Sequence, residues 1–173
     1  MVVFVVGGSG SGKSEYAEQL AVSLQEPGRD RLVYVATMKV LDEESRSRVG
    51  RHRSMRAGKG FETREYPTHL ESLEVGDDEI ILLECLPNLL ANEMFSKEGR
   101  GLQAEQAIRA GICRLAEKSR HLVIVGSQVF EDGVEYDRMT ETYKKQMADL
   151  HRFLGRLADQ VVEVVFGIPV EWK

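Results

Sequence analysis

The segment near the amino terminus constrains the fold of this chain more than any other feature. An apolar run, Val2–Val6, leads into Gly7-Gly8-Ser9-Gly10-Ser11-Gly12-Lys13-Ser14, and a helical pattern follows over Glu15–Leu24. The eight residues between them match the phosphate-binding pattern G-x-x-x-x-G-K-[ST], which joins a buried strand to a helix. The order of strand, loop and helix therefore predicts a P-loop in an α/β fold.

The residue types of this loop indicate what it binds. Glycines let the backbone curve so that several N–H groups point at phosphate oxygens, and the helix start adds a partial positive charge. Lys13 is predicted to reach the β- and γ-phosphates, and the Ser14 hydroxyl to bind Mg²⁺. All residues from Gly7 to Ser14 are therefore candidate nucleotide-binding residues, and Lys13 is also a candidate catalytic residue.

The remainder of the chain repeats the alternation of strand and helix. Further strands are predicted at Leu32–Ala36, Ile80–Leu83, Leu122–Val125 and Val161–Val165, further helices at Asp42–Met55, Gln103–Lys118 and Asp137–Leu157, and loops at Ala57–Gly60 and Phe130–Tyr136. Near-continuous apolar runs are typical of parallel strands buried on both faces. The alternation predicts a mostly parallel sheet flanked by helices on both faces. With 173 residues and no visible linker, residues 1–173 are expected to form a single domain.

Composition excludes several classes of function. The net charge of −5 argues against general affinity for nucleic acids. Cys85 and Cys113 form no C-x-x-C motif, so two reduced thiols in a cytoplasmic protein are expected. Apolar runs stay well short of the length that a transmembrane helix needs, so no membrane span is predicted.

A carboxylate ends one of the predicted strands. Glu84 directly follows Ile80–Leu83, and ligands of open α/β sheets bind beyond the carboxyl ends of the strands. Glu84 is therefore a candidate nucleotide-site residue and, with Ser14, a candidate Mg²⁺ ligand. The alternative is a strand-ending glutamate that only caps the next turn.

The predicted helix that begins near Asp42 has an unusual charge pattern. Its arginines surround a single histidine, His52, and they are Arg46, Arg48, Arg51, Arg53 and Arg56. On a helix, Arg48 and Arg56 lie one turn on either side of His52, where guanidinium groups can grip a polyphosphate. Their charge would keep the imidazole neutral and therefore nucleophilic. A solvated helix whose charges complement its dipole is the alternative that these residues leave open.

Several motifs together carry a resemblance to a known family. Beyond the P-loop they are Tyr34-Val35-Ala36-Thr37, Asp42-Glu43-Glu44, Arg48-Val49, His52-Arg53, Arg56, Thr63, Glu65, Pro67, Leu82-Leu83-Glu84-Cys85-Leu86, Asn92, Ala158-Asp159 and Gly167-Ile168-Pro169. The His-Arg-x-x-Arg element is the most specific of them. On these motifs the chain resembles, over nearly its whole length, the bifunctional adenosylcobinamide kinase / adenosylcobinamide-phosphate guanylyltransferase family.

The resemblance implies a function and a set of roles. It implies a RecA-like P-loop domain, a homotrimer, ATP or GTP as phosphoryl donor, and a corrinoid acceptor, adenosylcobinamide. It implies that His52 is the catalytic nucleophile and carries GMP covalently during transfer from GTP. The nucleotide contacts that it implies are those of Ala36, Thr37, Met38, Arg53, Arg56, Glu65 and Glu84.

Three places depart from the family pattern. Phe61 stands where the family usually has tryptophan, and Ser127-Gln128-Val129-Phe130 and His151-Arg152 replace other sequences. The last two places are expected on the side that handles the corrinoid. Two other functions stay open on the sequence: a P-loop kinase for another small alcohol, and a GTP-binding regulatory protein without guanylyltransferase activity.

Overall fold

The computed structural model describes residues 1–40, 42–128 and 137–173. These residues contain seven strands: β1 (Val2–Val6), β2 (Arg31–Ala36), β3 (Phe61–Glu65), β4 (Glu79–Glu84), β5 (His121–Val125), β6 (Gln160–Val165) and β7 (Ile168–Glu171). They also contain five α-helices: α1 (Lys13–Ser23), α2 (Glu43–Arg56), α3 (Leu86–Phe95), α4 (Ala104–Lys118) and α5 (Arg138–Leu157). No helix in this described part is both long enough and apolar enough to cross a membrane.

All the strands belong to one sheet in the order β3-β2-β4-β5-β1-β6-β7. The strands from β3 to β6 pair in parallel, and β7 pairs antiparallel with β6. The central strands β1 and β4 are apolar along almost their whole length because helices cover both faces. The prediction of a mostly parallel sheet is therefore confirmed.

Successive side chains of a strand pack alternately into two hydrophobic cores, one on each face of the sheet. On β1, Val3 and Val5 face α1, where they pack with Ala17 and Ala21. Phe4 faces the other side, where α3, α4 and α5 bury their leucines and isoleucines against the sheet. This alternation follows from the two-residue period of a strand. It fixes α1, and the loop before it, firmly on the sheet.

Helix α2 is built differently from the others. Asp42 caps it by accepting a hydrogen bond from the Ser45 backbone N–H at 2.7 Å, while the Ser45 hydroxyl accepts from the Asp42 N–H at 3.0 Å. All fourteen residues of the helix are described, and Arg56 alone among them is buried. The capping box and the charge order therefore start this helix, and apolar packing contributes little to it.

The predicted strands and helices are all confirmed within a few residues, and the turn at Ala57–Gly60 is confirmed as well. Among the strands and α-helices, three were missed. β3 is a largely polar edge strand, α3 begins two residues after the last residue of β4 with a proline in its first turn, and β7 is a short exposed hairpin strand. None of them carries the long apolar run on which the predictions depended. The predicted loop at Phe130–Tyr136 lies outside the described residues.

Candidate active site

The P-loop lies between β1 and α1, and its lysine makes a hydrogen bond back to the backbone of the loop. Gly10 and Gly12 have φ values of 70° and 90°, a conformation that glycine adopts readily. A Cβ on Gly7 would lie 2.6 Å from the Val164 carbonyl oxygen, so only glycine fits there. The Lys13 ammonium donates to the Gly8 carbonyl at 2.9 Å. Burial lowers the pKa of Lys13, whereas the charge of nearby Glu84 raises it.

Ser14 and Glu84 meet across the sheet at the end of β4. The Ser14 hydroxyl donates to Glu84 Oε1 in a short hydrogen bond. The other oxygen, Oε2, is buried and has no hydrogen-bond partner among the described residues. A hydroxyl beside a carboxylate with a spare buried oxygen is a donor set that suits a hard divalent cation such as Mg²⁺.

His52 approaches the same oxygen of this carboxylate. Its Nδ1 is 3.7 Å from Glu84 Oε1, and its side chain is 23% exposed. This nitrogen is buried and accepts or donates no hydrogen bond within the described part of the chain. Glu84 therefore joins the P-loop, through Ser14, to the predicted nucleophile.

Arg56 holds the end of α2 against the sheet. Its guanidinium carbon lies 3.3 Å from the centre of the Tyr34 ring, a stacked cation–π contact. Burial, and then the charge of Glu84, raise the pKa of Tyr34 so that the phenol stays neutral. Arg56 is only 7% exposed, and its Nη1 has no hydrogen-bond partner among the residues described. The guanidinium thus keeps a donor available for a ligand.

A cavity of about 430 Å³ opens beside His52, between α2 and the ends of β2 and β3. Of the predicted site residues it brings together Ala36, Met38, His52, Arg53, Arg56, Glu65 and Glu84. Arg53 and Glu65 form an ion pair at 3.3 Å on its wall. Apolar side chains such as Val49 and Pro67 complete the lining. A space of this size, with charged groups at one end, suits a nucleoside.

Other predicted residues lie elsewhere. Thr37 is fully buried, and its hydroxyl donates to the Cys85 carbonyl at 2.9 Å and accepts from the Cys85 N–H at 2.8 Å. Its side chain therefore braces the β2 and β4 ends and does not line the cavity. Arg48 lies one turn before His52 on α2, as predicted, but its guanidinium pairs with Glu44 at 2.5 Å and its side chain is about half exposed.

Two charged residues of the site were missed by the sequence reasoning. Glu18 is fully buried on α1, and Lys59 reaches its Oε2 from the turn after α2 at 2.7 Å. A signal for Glu18 existed, since it lies four residues after Ser14 and so on the same face of the helix. For Lys59 the sequence offers no such signal.

The two departures expected on the acceptor side lie close together near the P-loop. The Gln128 N–H and the Ser127 hydroxyl both approach the Gly7 carbonyl at 3.4 Å. A Cβ on Gly126, the preceding residue, would lie 3.3 Å from His151 Nε2. His151 packs its ring edge on Phe4, and burial lowers its pKa to about 4. Val129 and Phe130 lie outside the described residues.

Comparison with known proteins supports the family resemblance that the sequence motifs indicated. Residues 3–172 match the family described as cobinamide kinase / cobinamide phosphate guanyltransferase. The chain is 30% identical to the bifunctional adenosylcobalamin biosynthesis protein CobU of Escherichia coli K12 over 187 aligned residues, and 29% identical to that of Salmonella typhimurium over 189. Both alignments cover 100% of each protein.

A solved structure resembles the fold. The crystal structure of a KaiC-like protein from Pyrococcus horikoshii OT3 aligns with a TM-score of 0.54 at 11% identity, covering 94% of this chain and 69% of that one. At that identity the likeness concerns the fold alone. It agrees with the prediction of a RecA-like P-loop architecture.

Proposed function

The chain belongs to the cobinamide kinase / cobinamide phosphate guanyltransferase family, and from that premise we propose that residues 1–173 carry both activities as one domain. In the first reaction ATP or GTP donates its γ-phosphoryl group to the hydroxyl of adenosylcobinamide. In the second, GMP passes from GTP to adenosylcobinamide phosphate and gives adenosylcobinamide-GDP. The observation that carries the proposal is the position of Glu84, in contact with Ser14 of the P-loop and 3.7 Å from His52.

The kinase step depends on positioning and on neutralising charge. Lys13 exchanges its bond to the Gly8 carbonyl for the β- and γ-phosphate oxygens, and the loop N–H groups hold the same oxygens. Ser14 and Glu84 are the residues that would hold Mg²⁺, which neutralises phosphate charge during phosphoryl transfer. The nucleotide thus lies with its phosphates in the P-loop.

The guanylyl step uses the histidine between the P-loop and the cavity. With the β- and γ-phosphates on Lys13 and the nucleoside in the 430 Å³ cavity, the α-phosphorus falls beside His52. An imidazole nitrogen forms a bond to that phosphorus while the bond to pyrophosphate breaks, and the acceptor phosphate then displaces His52. Arg53 and Arg56 stabilise the negative charge that develops on the phosphorus oxygens.

The first test is the intact mass of the protein after incubation with Mg-GTP. We expect the mass of one GMP to be added per chain, in a bond that resists base and breaks in acid, as a phosphoramidate does. A chain that binds GTP and gains no mass would favour the regulatory alternative.

The second test concerns the acceptor. Mg-ATP, Mg-GTP and adenosylcobinamide are incubated with the protein, and mass spectrometry follows the phosphate and GDP products. We expect both products, because the chain aligns with its relative over the whole length of both proteins, including the region of Ser127, Gln128 and His151 next to the P-loop. Guanylylated protein with neither corrinoid product would point to a different small alcohol.

We extend the proposal to assembly and location. The β6–β7 hairpin leaves Phe166 94%, Ile168 66% and Trp172 69% exposed, and apolar surface of this kind supports the homotrimer that the family resemblance implies. Cys85 and Cys113 form no disulfide, which supports a cytoplasmic location. Light scattering after gel filtration tests the trimer, and a monomer at micromolar concentration would contradict it.

A further inference from the structure

Glu18 is a buried carboxylate that the proposed chemistry does not use. It is 0% exposed, although it belongs to a residue type that is almost never fully buried unless it is paired. Lys59 satisfies only one of its oxygens, Oε2, at 2.7 Å. The other oxygen, Oε1, is buried and accepts no hydrogen bond from any described residue.

Glu18 belongs to a cluster of side chains around His52. One ligand atom each of Glu18, His52 and Glu84 lie within 4.8 Å of one another. The nitrogen of His52 that is buried and without a hydrogen bond in the described structure is Nδ1. The cluster therefore contains a carboxylate with an unpaired buried oxygen and an imidazole with an unpaired buried nitrogen, and leaving such buried groups unpaired is costly.

We propose that Glu18 is a positioning residue for His52, holding the Nδ1–H of the imidazole so that Nε2 faces the α-phosphorus of GTP. The inference rests on the proposed guanylyl transfer. In that step the Nε2 lone pair forms the bond to phosphorus, the bond to the pyrophosphate oxygen breaks, and the ring becomes positively charged. The Glu18 carboxylate stabilises that charge through the Nδ1 proton, and when the acceptor phosphate attacks, the electron pair returns to Nε2.

Glu84 is less suited to this task. Its Oε1 already accepts a hydrogen bond from Ser14, and the proposed kinase chemistry needs the same carboxylate for Mg²⁺. Glu18 accepts no hydrogen bond from Ser14 and is not needed for Mg²⁺, and its ion pair with Lys59 fixes its orientation. Because Lys59 follows α2 and Glu18 lies on α1, the ion pair also ties the histidine helix to the P-loop helix.

The test compares Glu18→Gln with wild type in two reactions of the full-length protein. Guanylylation of His52 is followed by intact mass in single-turnover mixing with Mg-GTP, and cobinamide phosphorylation is followed separately. We expect guanylylation to slow about 100-fold, the effect of losing correct orientation at a reacting atom. The dissociation constant for GTP and the kinase rate should stay within about threefold, because His52 takes no part in phosphoryl transfer.

The matched control is Glu15→Gln, which removes the same charge from an exposed position of the same helix, and it should leave both rates unchanged. Glu18→Asp keeps the charge and should recover part of the guanylylation rate. It also stands in for Glu18→Gln if the amide variant does not fold, and it should then slow guanylylation about tenfold with the kinase unaffected.

Two results would overturn the inference. Guanylylation at the wild-type rate in both Glu18 variants would remove Glu18 from the reaction, and an equal loss of kinase and guanylylation would make its role structural. Failure of the proposed function looks different, because the wild-type protein itself would then gain no GMP.

Discussion

The two helices that supply the site, α1 and α2, are held in place by different forces. Helix α1 buries Ala17 and Ala21 in an apolar core against the sheet. Helix α2, fully within the described residues, buries Arg56 and no apolar side chain. The sheet therefore fixes the P-loop, whereas polar contacts made inside the site itself fix the histidine.

Those polar contacts come from charged or aromatic partners on other elements. They are His52 with Glu84, Lys59 with Glu18, Arg56 with Tyr34 and Arg53 with Glu65. Under the proposed function a phosphate-bearing ligand would compete for several of the same groups, so we expect the position of α2 to depend on what the site holds. One site thus combines a P-loop that apolar packing holds in place with a histidine helix that polar contacts hold in place.

The largest effect is expected at His52. His52→Ala should abolish the GMP adduct, because His52 is the one histidine among the described residues that line the cavity. Binding of GTP should persist, since the P-loop does not depend on α2. Intact mass and a nucleotide titration measure the two quantities. An adduct that survives the substitution would remove His52 from the nucleophile's role.

The next largest effect is expected on the kinase rate when the P-loop lysine is removed. Lys13→Ala removes the charge that faces the transferred phosphoryl group, and we expect the kinase rate to fall roughly a hundredfold or more. Phosphorylation of cobinamide is measured at saturating Mg-ATP. A rate near that of wild type would contradict the assignment of Gly7–Ser14 as the phosphate site.

A smaller effect is expected at the contact that holds α2. Arg56→Ala removes the stacking on Tyr34, worth roughly 1–2 kcal/mol, and also a guanidinium proposed to stabilise charge on the phosphorus oxygens, so we expect guanylylation to fall at least about tenfold. Hydrogen exchange of the α2 amides should become faster, with the kinase rate little changed. Arg46→Ala, at an exposed position of the same helix, is the control. Unchanged exchange in α2 would show that Arg56 does not anchor it.

The smallest effects are expected on stability, where substitutions in α1 and at the cap of α2 should act differently on global unfolding. Ala17→Gly in α1 should lower the free energy of unfolding of the whole protein by about 1 kcal/mol or more, through helix propensity and a lost buried methyl group. Asp42→Ala removes the cap of α2 and should speed amide exchange in its first turn without changing the global denaturation midpoint. Equal shifts of the midpoint in both variants would show that the two helices contribute alike to the stability of the whole protein.

Much of the fold followed from local pattern. The runs at Val2–Val6 and Ile80–Leu83 predicted central strands because strands buried on both faces need apolar residues throughout. β3 escaped prediction because an edge strand can be polar, as Glu62 and Arg64 are. The P-loop and Glu84 were predicted in their observed places because each follows directly from the end of a strand.

The P-loop could be predicted from the sequence alone, since its strand, glycines and helix are contiguous and their geometry is local. The start of α2 just after Asp42 is also a local matter, because capping involves neighbours in the chain. The meeting of Glu18, Glu84 and His52, the stacking of Arg56 on Tyr34 and the ion pair of Lys59 with Glu18 depend on the tertiary structure. Those residues come from separate elements, and the order of parallel strands, which no local pattern encodes, sets which carboxyl ends lie side by side.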